Sequence, residues 1–314
     1  MSLPEVTGLP VVPDAPVNPP ARRSSLVRLL FRDPMAVAAI VWLLIVLAAI
    51  VIGVLYMGEA ATKVNLRGRN LAPFSLDQGW LFILGGDSLG RSVLARLMVA
   101  AGTTVGIAVT TAGLSVIVGT ALGVTAGYFG GLVGTLILRI ADMILSFPAL
   151  LLALIVLYIF GPSPLNLIAV IGIARLPVYI RVARAEVLEI RERMFVDAAR
   201  ALGAHPLWIV TTHIVPILAP TMLTLGAVNL AMVMLLESGL SFLGLGIQPP
   251  AMSWGLLVSQ GRSYLAQAWW LACFPGLCIM FTTLASNTLA NWYRTASDPQ
   301  QRWRLEQGGK VAAK

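Results

Sequence analysis

Few residues in this chain have both the type and the spacing to do chemistry. Gly86-Asp87-Ser88-Leu89-Gly90 fits G-x-S-x-G, the pattern that holds a nucleophilic serine on a sharp turn between a strand and a helix. Such a serine needs a histidine to take its proton, and the chain has two, His205 and His213. They stand eight apart with no carboxylate or thiol arranged around them, which is a poor metal-ligand spacing. Cys273 and Cys278 sit in an apolar run and read as small buried hydrophobes. Glu237 ends a charge-free run, 201–236, and has no basic neighbour within four positions. It therefore either reaches for a membrane interface or faces a polar path. Asn229, two turns earlier on the same expected helix, favours the path, with Asn287 as a weaker companion. Arg139 and Asp142 are spaced to neutralise each other on one helical face.

The elements that must carry these residues follow from where charge is missing. Only 11% of the 314 residues are charged and 58% are hydrophobic, against about 25% charged in an ordinary soluble domain. A soluble fold, a disulfide scaffold and a disordered chain are all excluded. Residues 34–58, 97–138, 143–174, 201–236 and 263–293 hold no Asp, Glu, Lys or Arg, and a charge near the bilayer centre costs about 2.5–3.5 kcal/mol on insertion scales. Two of these gaps are too long for one helix, and Gly130-Gly131 and Gly161-Pro162-Ser163-Pro164 supply the turns that divide them. Six membrane-spanning helices are predicted, near 35–57, 103–127, 134–159, 165–184, 217–237 and 268–291. The fold class is all-α and polytopic.

Residues 1–20 hold six prolines and no apolar core of a signal peptide, so 1–30 reads as a flexible tail before an uncleaved first helix within 31–58. With both ends inside, sixteen of the 22 basic residues fall on the cytoplasmic side and six outside, as the positive-inside rule requires. The net charge of +8 is then a topology signal, and a nucleic-acid partner is not needed. The plan continues with an extracytoplasmic connection over 59–100 and a five-helix core over 101–293. A cytoplasmic loop lies within that core at 185–216, and a second tail spans 294–314. Residues 238–262 are too apolar for a free aqueous loop and are expected to dip into the outer face of the protein.

The cytoplasmic loop is the most informative stretch. Five arginines and four carboxylates interleave from Arg181 to Arg200 at helical i,i+3 and i,i+4 spacings. Asp197-Ala198-Ala199 then opens a short helix that should stop at Gly203, and a second short helix is predicted from Pro206 to just before Pro216. A helix–glycine–helix elbow with alanines for close approach is suited to docking into another protein.

Asp197-Ala198-Ala199, Arg200 to Leu202, Gly203 and then His213-Ile214-Val215-Pro216 resembles the EAA-x3-G-x9-I-x-LP signature of ABC importer permeases. The His-Ile-Val-Pro ending is similar to the dipeptide, oligopeptide and nickel branch, with Asp197 in place of Glu and Val215 in place of Leu. Arg32-Asp33-Pro34, Gly86 to Arg91, Ser241 to Gly246, Gln248-Pro249-Pro250 and Ser253-Trp254-Gly255 resemble the C-type subunit of that branch, so the likeness spans roughly residues 28–300.

The resemblance implies the type I importer permease fold in a bacterial inner membrane, with a second homologous permease, two cytoplasmic ATPases and an extracytoplasmic substrate-binding protein as partners. It implies no cofactor in this chain, ATP and Mg²⁺ being held by the ATPases, and G-x4-G-K-[ST] is missing from the sequence. Asp197, Ala198, Ala199, Arg200, Leu202, Gly203, His213 and Pro216 would form the ATPase-coupling elbow. Gly119, Gly123 and Gly127 would permit close helix packing, either inside the subunit or against the second permease. Di- or oligopeptides are the expected cargo, nickel complexes or oligosaccharides being the alternatives. A secondary transporter would need internal ionisable relays, a fused exporter a longer chain, and a hydrolase a histidine on the serine's side of the membrane.

Overall fold

The computed structural model describes residues 29–75 and 78–297; most of the two expected tails lies outside the described residues. Among the described residues the first helix long enough to cross a membrane, α1, runs Pro34–Tyr56. Asp33 caps it, its carboxylate accepting from the amides of Met35 and Ala36, and Pro34 occupies the first turn, where a missing N–H is harmless. Its 23 residues span about 35 Å, enough for a hydrocarbon core. A short helix, α2 (Gly58–Thr62), and two 3₁₀ turns (Leu66–Gly68 and Trp80–Phe82) build a folded cap. It leads into α3, Val93–Tyr128, capped by Ser92.

The glycine pair expected to turn the chain does so: Gly130 and Gly131 have φ of +62° and +56°, a region that only glycine enters without strain. The third expected span is not one helix. It consists of α4 (Gly131–Leu145) and α5 (Ala149–Phe160), bent by 85° at the intervening residues. Pro148 sits at that break as the residue before α5, and its missing N–H cannot continue the hydrogen-bond ladder of α4. Five single helices and this bent pair give up to six candidate spans by length and composition.

The fourth span, α6, runs Pro164–Arg191 behind a Ser163 cap, seven residues past its expected end, because the charged run continues the helix. The elbow follows as α7 (Met194–Ala201) and α8 (Pro206–Ile209). The second short helix does not end before Pro216; it passes through a π-helical turn, Val210–Ile214, into α9, Val215–Phe242. Pro216 lies in the first turn of α9, where the wider π turn has already shifted the hydrogen-bond register. The rod Pro206–Phe242 is 37 residues long. After it the chain re-enters as α10 (Trp254–Gly261), makes a 3₁₀ turn at Arg262–Tyr264 and closes with α11, Trp270–Ser297.

The glycine stripe on α3 packs inside the subunit. A Cβ on Gly119, Gly123 or Gly127 would stand 2.5, 2.6 and 2.9 Å from the Cβ atoms of Tyr179, Ala183 and Val187 on α6. Backbone-to-side-chain contact at this range is how helices associate where lipid removes the hydrophobic drive. Gly123→Ile is expected to wedge α3 from α6. Overpacking of this kind costs about 1–3 kcal/mol or more, readable as a lower melting temperature and less folded protein in the membrane.

One expected pair is exchanged. Asp142 does not bond Arg139; its Oδ1 accepts from Arg181 Nη2 at 2.5 Å, tying α4 to α6. Both partners are more than half exposed, so the pair contributes at most about 1 kcal/mol.

Candidate functional site

Two ends of the molecule concentrate polar structure. At the elbow end, α7 terminates at Gly203, whose φ of +78° places it in the left-handed region. Its amide donates to Arg200 O and the Ala204 amide to Ala199 O, which closes the helix in the manner of a Schellman motif. Asp197 accepts from Arg200 Nη1 at 3.2 Å, and the Arg200 guanidinium lies 5.6 Å from the centroid of Tyr128 at the end of α3. His205 caps α8, its Nδ1 accepting from the Leu207 amide. His213 is held between Phe195 and Trp208, ring centroids 5.8 and 5.0 Å away. Val196, Ile209, Val210, Ile214 and Leu218 are buried together with Val187 and Ile190 of α6, so the elbow is fixed to the ends of two spans.

What the elbow turns outward is apolar. Met194 and Leu202 are each 87% exposed, Leu207 59% and Trp208 50%. Ala198 and Gly203 are exposed between them, and nothing lies within 4 Å of where a Gly203 Cβ would be. Apolar side chains clustered on a segment otherwise rich in charge mark a protein contact. Met194, Phe195, Leu207 and Trp208 were not among the expected site residues. Their signal is in the sequence, as apolar pairs flanking Asp-Ala-Ala and following Pro206.

At the cap end, Gly86–Arg91 forms a corner around one carboxylate. Asp87 Oδ1 accepts from the amides of Leu89 (2.9 Å) and Arg91 (2.8 Å), and Oδ2 from Arg91 Nε (2.7 Å) and Arg96 Nη1 (2.5 Å). Arg96 Nη2 continues to Gln260 on α10 at 2.8 Å, and Trp270 Nε1 donates to Gly86 O. Ser88 stands beside this network in a cavity of about 310 Å³ lined by Arg91, Arg96 and Tyr264. The corner precedes α3 and the elbow adjoins its other end, so the 36 residues of α3 separate Ser88 from both histidines by about 50 Å. Neither histidine can therefore serve Ser88 as a general base, and its G-x-S-x-G pattern builds a turn.

Residues 243–261 fold back against α3, α9 and α11, whereas 238–242, expected to belong to the same segment, continue α9. Trp254 fixes the re-entry, its amide donating to Thr104 Oγ1 and its indole to Leu97 O. Glu237 does not reach an interface: it is 0% exposed, with Oε1 accepting from Ser241 at 2.8 Å and Oε2 from Ser238 at 3.3 Å. Asn229 is also buried and donates to Leu225 O. Asn287 is half-buried on α11.

With that geometry in place, residues 119–303 match the family described as "Binding-protein-dependent transport system inner membrane component". The chain belongs to this family. A protein of Brucella suis biovar 1, provisionally named a peptide transport system permease, is 36% identical over 96% of this chain and 97% of its own length. The di/tripeptide transport system permease of Pseudomonas aeruginosa is 36% identical over 70% of this chain and 72% of its own. The glutathione transport system permease of Pectobacterium atrosepticum is 32% identical over 93% and 95%. The family membership makes this chain a permease component of an ABC importer and a multi-pass inner-membrane protein. The match covers the glycine stripe, the elbow, the rod and the re-entrant segment, and it excludes the cap corner.

Proposed function

We propose that this chain is the membrane subunit of a peptide importer whose elbow seats in a cleft of a cytoplasmic ATPase. The exposed apolar collar around Gly203 carries this reading, since it is the one surface where a water-facing element presents Met194, Leu202, Leu207 and Trp208 together. The elbow joins the ends of α6 and α9 through a shared buried cluster, so a displacement of the collar moves both spans. Asp197 and Arg200 rigidify α7, and His213 braces the collar from behind. ATP and Mg²⁺ would be held by the ATPase subunits, this chain contributing mechanics and no catalytic group.

The partners in this reading are a second, homologous permease, two ATPases and a receptor outside the membrane. Peptide cargo is supported by the names of three relatives and takes precedence over nickel complexes and oligosaccharides. The path would run between the two permeases, with Asn287 the candidate this chain offers to its lining, and Asn229 and Glu237 acting from inside the wall. Isolation of the complex from membranes is expected to yield the chain together with Walker-motif ATPases and a second permease; a chain that purifies alone in mild detergent contradicts the proposal. The distribution of Lys and Arg supports a reading with both termini in the cytoplasm. Green fluorescent protein fused at the C-terminus is expected to fluoresce and alkaline phosphatase fused there to be inactive.

A further inference from the structure

The elbow and the re-entrant segment are two ends of one rod. Residues Pro206–Phe242 run as 37 continuous residues, about 55 Å at helical rise, and the last two turns hold the re-entrant chain through the Ser241 hydroxyl, which a buried carboxylate on the same helix orients. The hydrogen bonds converge on that group. Ser238 and Ser241 donate to the two oxygens of Glu237, and Ser241 Oγ in turn accepts from the Ile247 amide at 3.0 Å. Ser253 Oγ lies 3.4 Å from Ser241 Oγ and caps α10 by accepting from the Leu256 amide. A serine hydroxyl has one proton to give, whereas an ionised carboxylate only accepts. The single protons of Ser238 and Ser241 are both directed at Glu237, which fixes the Ser241 hydroxyl with its lone pairs toward the Ile247 amide.

The backbone is equally committed. A Cβ on Gly255 would lie 2.5 Å from Ser238 Cα, and Gly246 is in equally close contact with Ser241. Ser259 Oγ also donates to Phe242 O at 2.9 Å. Glu237, Ser241 and Ser253 are all 0% exposed, so the arrangement lies wholly inside the subunit.

We infer that Glu237 is a positioning residue that clamps the re-entrant segment to α9, so that the outer mouth follows the elbow when the ATPases close. This rests on the importer reading above and adds to it the route by which force crosses the membrane. The charge of Glu237 is not what the clamp uses; its acceptor oxygens are. Gln retains one of them, and Ala retains none.

The test uses the assembled complex in proteoliposomes, with Cys273 and Cys278 replaced by Ala and Ala251→Cys at the exposed tip of the segment as a reporter. The readout is its labelling rate by a membrane-impermeant maleimide, with and without vanadate-trapped nucleotide. Trapping is expected to change labelling at least fivefold in the parent and less than twofold in Glu237→Ala, with the amount of trapped nucleotide unchanged. Glu237→Gln is expected to restore the parent response. Should Glu237→Ala fail to fold, Ser253→Ala, which removes the cap of α10 beside the clamp, is expected to lose most of the response. A Glu237→Ala complex that responds like the parent overturns the inference, as does a Gln variant as defective as Ala. A parent that traps nucleotide without a change at Ala251→Cys overturns the clamp alone. A parent that traps no nucleotide contradicts the importer reading itself.

Discussion

Gly203→Trp is expected to strip the ATPases from the complex, lowering their co-purification and ATP-driven uptake at least tenfold while the subunit itself stays folded. Two effects must be separated. Gly203 has a φ of +78°, so any side chain there carries strain of about 1–2 kcal/mol. The space around it is open, so an indole collides with nothing in its own chain and fills the site where a partner would sit. Gly203→Ala supplies the control, since it carries the strain without the bulk. A large loss in Trp and a small one in Ala assigns the effect to docking; equal losses would assign it to helix termination and sink the docking role. Trp208→Glu should weaken the same contact by placing a charge in the collar, with no change in the backbone.

The second large effect is expected at the opposite end. Asp87→Ala removes the acceptor for four donors and leaves Arg96, 6% exposed, without its anion. Removing one partner of a buried pair destabilises by about 3–5 kcal/mol, because the surviving charge is buried and uncompensated. Little folded subunit is expected in the membrane. The double variant Asp87→Ala/Arg96→Met should recover part of that loss, since an apolar replacement of the cation removes the stranded charge. Thermal unfolding of the purified single and double variants measures this directly, and a double variant no more stable than Asp87→Ala would show that the corner matters for its backbone bonds to Leu89 and Arg91 and not for its ion pairs. A serine hydrolase makes the contrary prediction, that Ser88→Ala alone is the damaging change.

Much of the architecture is legible in the sequence because the bilayer penalises charge so heavily. The uncharged runs locate the spans, and Gly130-Gly131 and Gly161 to Pro164 divide the two that are too long. The elbow is equally legible at Gly203, where the short helix stops as its composition requires. The same reasoning misplaces the features that depend on a neighbour. Pro216 looks like a stop, yet the π turn at Val210–Ile214 carries the helix through it. The span expected over 134–159 is a bent pair, since Pro148 breaks it and long-range packing sets the 85° angle. Asp142 finds Arg181 across a helix interface at 2.5 Å, ahead of the arginine three residues away.

Sequence by itself determined the membrane class, the approximate places of five of the spans, the position of the elbow and the family likeness, because each rests on local composition, spacing or a short motif. Only the tertiary structure decided which polar residues serve which end. The glycine stripe could have faced a second subunit, and it meets Tyr179, Ala183 and Val187 in this one. Glu237 could have reached lipid headgroups or lined a path, and its oxygens bond Ser238 and Ser241. Ser88 carried a nucleophile's pattern, and a helix of 36 residues keeps it from either histidine. In each case the deciding quantity is a distance between segments far apart in the chain, which burial and hydrogen-bond satisfaction fix only once the helices are packed.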